Sequence, residues 1–144
     1  MTGITSVQSG QGFSISSGQD TDLSGQCNSR ADITGNPILD HASREAMIQE
    51  FFNTNAFATP IPGGVGTSAR GALSGPAFVE TDLAILKDIF VTEQTRFQFR
   101  GEFFNLFNQV NFNNPSSSLT AGNFGQITGA GDGRTLQFGL KFLW

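Results

Sequence analysis

Asp20, Asp22, Ser24 and Gly25, in the string DTDLSG, place oxygen-bearing side chains at alternate positions ahead of a glycine, the spacing with which a calcium loop opens. Such a loop closes on a bidentate glutamate at position twelve, and counting from Asp20 that position holds Ala31. The string therefore reads as a solvated polar loop. Cys27 and His41, the single cysteine and single histidine, are a conceivable nucleophile and base, yet no third group orients them and both fall in loop-like sequence. Glu80 and Asp82 share one face of a strand, as paired carboxylates would, but a water-facing wall accounts for them more simply. Gly129, Gly131 and Gly133 lead into a strand, with neither a helix nor a Lys-Ser/Thr pair to make a phosphate cradle. No catalytic, cofactor-binding or metal-binding set emerges, and the expectation is a protein that is not an enzyme and needs no cofactor.

Composition narrows the class. Charged residues are 14% of the 144, against roughly 25% in ordinary soluble domains. Aromatic residues reach 11% as 15 Phe and one Trp with no Tyr, which favours strands. A net charge of −4 gives no basic patch for a phosphate backbone, so no nucleic-acid partner is expected. One cysteine makes no internal disulfide, and one histidine leaves no Cys/His cluster at zinc spacing. The opening MTGITSVQSGQGFSIS has no basic region followed by an apolar core and is not read as a secretory signal. No apolar run reaches the roughly 18 residues of a membrane helix, but strands that cross a membrane alternate and escape that criterion.

Alternation is strongest at the end of the chain. From Arg134 to Trp144, Leu136, Phe138, Leu140, Phe142 and Trp144 fall on one face and Thr135, Gln137, Gly139 and Lys141 on the other, with Leu143 breaking the rule. A second strand is expected over Thr95–Asn108, with Phe97, Phe99, Phe103 and Phe107 opposite Arg96, Gln98, Arg100 and Glu102. A third is expected over Val79–Phe90, with Leu83, Ile85 and Ile89 opposite Asp82 and Asp88, diluted by Leu86 and Lys87. A fourth, over Gly3–Ile15, sets Val7, Phe13 and Ile15 against Ser6, Gln8 and Ser14. The connections are long at Ser16–Phe78, short around Thr92–Gln94 and long again at Gln109–Gly133, as in barrels with long extracellular loops and short periplasmic turns. Within the first loop, Ala42–Phe52 can form a short helix after Asp40. The fold class expected is all-β, antiparallel strands forming the last part of a transmembrane β-barrel. Residues 1–144 would be one incomplete domain. A soluble all-β binding module, with the Phe stripes inside a sandwich, is the alternative.

Particular strings carry a resemblance. GEFFNLFNQVNFNNP (Gly101–Pro115), FGQIT (Phe124–Thr128) and RTLQFGLKFLW at the end, with SRADITGNP, FFNTNAF and GPAFVETDLAILKD earlier, are similar to the barrel end of TonB-dependent receptors, most of all the Oar-like group. The resemblance spans nearly the whole chain and implies a location in the bacterial outer membrane. It also implies a large barrel with a plug, driven through TonB and importing bulky substrates, and none of the plug is visible here. The chain then reads as a truncated gene or carboxy-terminal fragment. Expected partners are outer-membrane lipid, the barrel-assembly machinery, the remainder of the barrel with its plug, and TonB through the missing part. Phe138, Leu140, Phe142 and Trp144 resemble the signal that the assembly machinery reads. Arg96, Gln98, Arg100 and Glu102 are expected to face the lumen. No autonomous transport is expected.

Overall fold

A computed structural model describes the chain from Met1 to Trp144. Its strands are β1 (Thr2–Gln8), β2 (Gly12–Phe13), β3 (Asp32–Ile33), β4 (Phe57–Ala58), β5 (Leu73–Ser74), β6 (Phe78–Phe90), β7 (Arg96–Phe104) and β8 (Thr135–Leu143), with one helix, α1 (Arg44–Gln49). The fold is all-β, as the alternation requires. Two compact units divide the chain, one of Met1–Ser9, Ala77–Asn111 and Gly131–Trp144, the other of Gly10–Pro76 and Phe112–Ala130.

The first unit is a four-stranded antiparallel sheet in the order β1-β6-β7-β8. Phe–Phe pairs across strands help set its register. Phe97 opposes Phe142 with ring centroids 4.9 Å apart, and Phe138 meets Phe99 at 6.2 Å and Phe103 at 5.9 Å. Such cross-strand aromatic pairs are each worth roughly 0.2–1 kcal/mol. Gly101 lies opposite Phe138, and a Cβ there would sit 3.5 Å from that ring, so the aromatic covers the backbone that the glycine leaves bare. The turn from β6 to β7 is tight, with the Val91 and Thr92 N–H groups donating to the Thr95 carbonyl and the Thr95 N–H donating to Thr92 Oγ1.

The strand boundaries depart in places from those the alternation predicts. The expected strand Gly3–Ile15 is two elements, because Gly10 comes so close to the Gly75 carbonyl that a Cβ would stand 1.7 Å from its oxygen. After that crossing Gly12 and Phe13 pair with Ser74 and Leu73, and Ile15 is fully buried in the second unit, so Val7, Phe13 and Ile15 do not share a sheet face. The expected strand Thr95–Asn108 ends at Phe104, because Asn105 takes φ +52° and Asn108 φ +53°, left-handed conformations that no strand continues through. Phe107 therefore lies off the strand. Arg134 and Trp144 fall just outside β8.

The second unit has a core of its own. Ile15, Ala31, Phe52, Ala56, Phe57 and Leu73 are buried together, with Phe13, Phe51, Leu119 and Phe124 packed against them. Phe52 is its centre, its ring 5.9 Å from Phe13, 5.6 Å from Phe57 and 5.2 Å from Phe124. The long connections expected as loops thus contribute a packed unit with the two-stranded pairs β2-β5 and β3-β4. Helix α1 is shorter than the Ala42–Phe52 expected and is capped by Ser43, whose Oγ accepts the Ala46 N–H, in place of Asp40. Phe51 and Phe52 follow it in a bend outside the helix, and Phe52 enters the core.

Candidate functional site

The register sorts the four-stranded sheet into two faces, since residues directly opposite one another share a side. Asp88 pairs Gln98, which pairs Lys141; Leu86 pairs Arg100, which pairs Gly139; Ala84 pairs Glu102, which pairs Gln137. Arg96, Gln98, Arg100 and Glu102 therefore lie together on one polar face, as their alternation foretells. Side chains connect them there: Gln98 Nε2 donates to Asp88 Oδ1 at 3.0 Å, and Arg100 forms an ion pair with Glu102. Half of that pair is well exposed, so it contributes at most about 1 kcal/mol and serves to order the face. Arg96 stands over the Phe90 ring at 6.0 Å. Glu80 and Asp82 project to the same face, and Asp82 Oδ1 accepts the Asn105 N–H at 3.0 Å, which commits it to structure.

The opposite face carries Leu83, Ile85 and Ile89 from β6, Phe97, Phe99 and Phe103 from β7, and Leu136, Phe138, Leu140 and Phe142 from β8. Trp144 continues it past the strand end, its ring 5.5 Å from Phe142. This surface is open, with Phe138 61% and Leu140 71% exposed. A contiguous apolar patch of this kind marks a surface that meets something other than water. One charged residue breaks it: Lys87 pairs Phe99 and so sits in the row of Phe99 and Leu140. Phe138, Leu140, Phe142 and Trp144 are thus one stripe on the last strand, and β8 has a neighbour on one side only.

Residue types that alternation does not single out fix the rim of the sheet. Asn105 is buried to 1% exposure, its Oδ1 accepting the Gln109 N–H at 2.8 Å and its Nδ2 donating to the carbonyls of Gln109 and Asp132. Asn111 completes a ladder like a strand residue, accepting the Val79 N–H and donating to the Val79 carbonyl. Asn108 accepts the Arg134 N–H ahead of β8. The visible signal was an asparagine at every third position, 105, 108 and 111, directly after a strand.

The loop candidates resolve into local structure. Asp20 accepts the N–H groups of Ser24 and Gly25, and Asp22 accepts the Ser29 hydroxyl at 2.9 Å. Hydroxyls of Ser24 and then Ser29 hold the Asp22 carboxyl below the usual aspartate range. His41 bonds through Nε2 to the Glu50 carbonyl at 2.9 Å and stacks on Phe51, while Cys27 is exposed. The nucleophile–base pair is not assembled by these bonds.

Compared with protein families, residues 1–137 match the outer membrane beta barrel domain family. The chain belongs to that family. Its location is accordingly the bacterial outer membrane. This barrel domain joins two of the marks that membrane crossing demands, strands of nine residues or more in β6, β7 and β8 and an exchange of polar and apolar faces across them that few residues interrupt, Lys87 among them. Neither the curated proteins nor the solved structures gave a match.

Proposed function

We propose that the barrel domain is part of the wall of a TonB-dependent receptor of the Oar-like kind, with its apolar face to lipid and its polar face to the lumen. The observation that carries the facing is the register, which gathers Asp88, Gln98, Lys141, Arg100 and Glu102 on one side and the Phe and Leu stripe on the other. The strings from Gly101 to Pro115 and from Arg134 to Trp144 support the receptor reading. In this reading the stripe Phe138, Leu140, Phe142 and Trp144 is what the assembly machinery engages, and further strands and a plug complete the pore that TonB drives. The chain has no catalytic role.

Transport by the chain alone is not part of the proposal. Its sheet ends at β1 and β8, and bacterial barrels close with eight strands at the least. Backbone groups left unpaired in hydrocarbon cost several kcal/mol each, so an open four-stranded sheet is no stable pore. Refolding the chain into liposomes should give no leakage of a small dye, and reproducible leakage with a defined size cutoff would refute this. Cross-linking in outer membranes of the source bacterium should recover the chain's sequence in a species that also contains TonB. Recovery without TonB under conditions that trap other receptors would remove the receptor reading and leave the barrel.

A further inference from the structure

We propose that the second unit holds a binding site for a small planar ligand that carries a hydrogen-bond donor, a function that does not depend on the transporter reading. A cavity of about 440 Å³ lies within that unit, inside the range of roughly 300–1,000 Å³ that small-molecule sites occupy. Buried Phe52 and Leu73 contribute apolar surface, and Pro37, Phe51 and His41 line it as well. His41 and Phe51 stack with centroids 6.0 Å apart and an interplanar angle of 29°, so the walls offer flat surfaces to a flat guest.

The site is built and held before any ligand arrives. The Asn53 N–H donates to the Pro37 carbonyl at 2.9 Å and Asn53 Nδ2 to the Asn36 carbonyl at 3.1 Å, tying the Pro37 wall to the chain beyond Phe52. His41 is fixed by its Nε2, 2.9 Å from the Glu50 carbonyl. A carbonyl can only accept, so Nε2 carries the proton, and in the neutral ring Nδ1 is left as a bare acceptor. His41 belongs to a lining made otherwise mostly of apolar side chains, so the cavity suits a ring that bears a hydroxyl or amine donor to meet this acceptor.

Phenol is the probe, with anisole as the same ring without the donor. His41 is the only histidine in the chain, so its Hε1 proton gives one assignable signal in the NMR spectrum of the refolded full chain. Phenol should shift that signal with saturation, and anisole should bind about five-fold more weakly, the ratio one modest hydrogen bond confers. Ala72→Trp and Ser74→Phe place bulk on the lining at exposed positions, and each should abolish saturation while the circular dichroism spectrum stays as in the parent. A shift that grows linearly with phenol, or that survives in both variants, would overturn the site. Equal affinity for anisole would overturn the role of His41. A variant that loses its circular dichroism spectrum is replaced by the other, and the parent titration decides saturation in any case.

Discussion

Replacing Asn105 by alanine tests whether one side chain terminates β7 and anchors the chain that follows. Three side-chain bonds vanish, two of them short at 2.8 and 2.9 Å and one longer at 3.3 Å. Their partners, Gln109 and Asp132, are exposed and recover water, so the three together are worth about 1–3 kcal/mol. The backbone adds to this. At φ +52° alanine pays for a left-handed conformation that asparagine tolerates, roughly 1 kcal/mol. The Ala variant should therefore be destabilised by about 2–4 kcal/mol, and Asn105→Gly, which loses the bonds but accepts the dihedral, by about 1 kcal/mol less. Urea titration of the refolded chain, followed by far-ultraviolet circular dichroism, reads both. A loss under 0.5 kcal/mol for alanine, or a glycine variant less stable than the alanine one, would refute the assignment of structure to this side chain.

Phe138→Arg should weaken assembly into lipid vesicles by about 2–4 kcal/mol, the cost of a cation near mid-bilayer, whereas Gln137→Arg, facing Glu102, should stay within about 0.5 kcal/mol. Fluorescence of Trp144, the single tryptophan, reports both, and equal losses would reverse the facing of β8. Asp22, whose carboxyl is depressed in the folded chain, should support stability above the pKa of a free aspartate and lose that support as pH falls through its own lower value. Carboxyl carbon shifts in NMR should place its midpoint below that of a free aspartate, and Ser29→Ala should raise it; an unchanged midpoint in that variant would discard the Ser29 contact as a cause.

Legibility in the sequence followed the length of the periodic run. β6, β7 and β8 span nine to thirteen residues, enough turns of a two-residue period for the faces to be read, and their polar residues came together as expected. The pairings β2-β5 and β3-β4 involve two residues per strand, too few to have a period. The core around Phe52 draws on Ile15, Ala31, Phe57 and Leu73, positions scattered over nearly sixty residues, so no window of sequence contains it. Gly3–Ile15 misled because its alternation runs on through Gly10, where a backbone crossing redirects the chain. The asparagines were visible as a pattern, but an amide that bonds backbone from another strand declares its partner only in three dimensions.

Lys87 has a consequence for the bilayer itself. With the apolar face to lipid, as proposed above, the oily band on β8 runs from Leu136 to Trp144, eight residue steps or about 26 Å of strand, and a tilt near 40° reduces its height to about 20 Å. An outer-membrane barrel ordinarily presents a band of about 25 Å. Lys87 stands inside this short band, in the row of Leu140, and its ammonium has to reach up its four-carbon stem toward phosphate. Lipids beside β6 would have to draw their headgroups inward to meet it, so this side of the wall would sit in a locally thinned membrane, a hydrophobic mismatch written into one strand by a single cation.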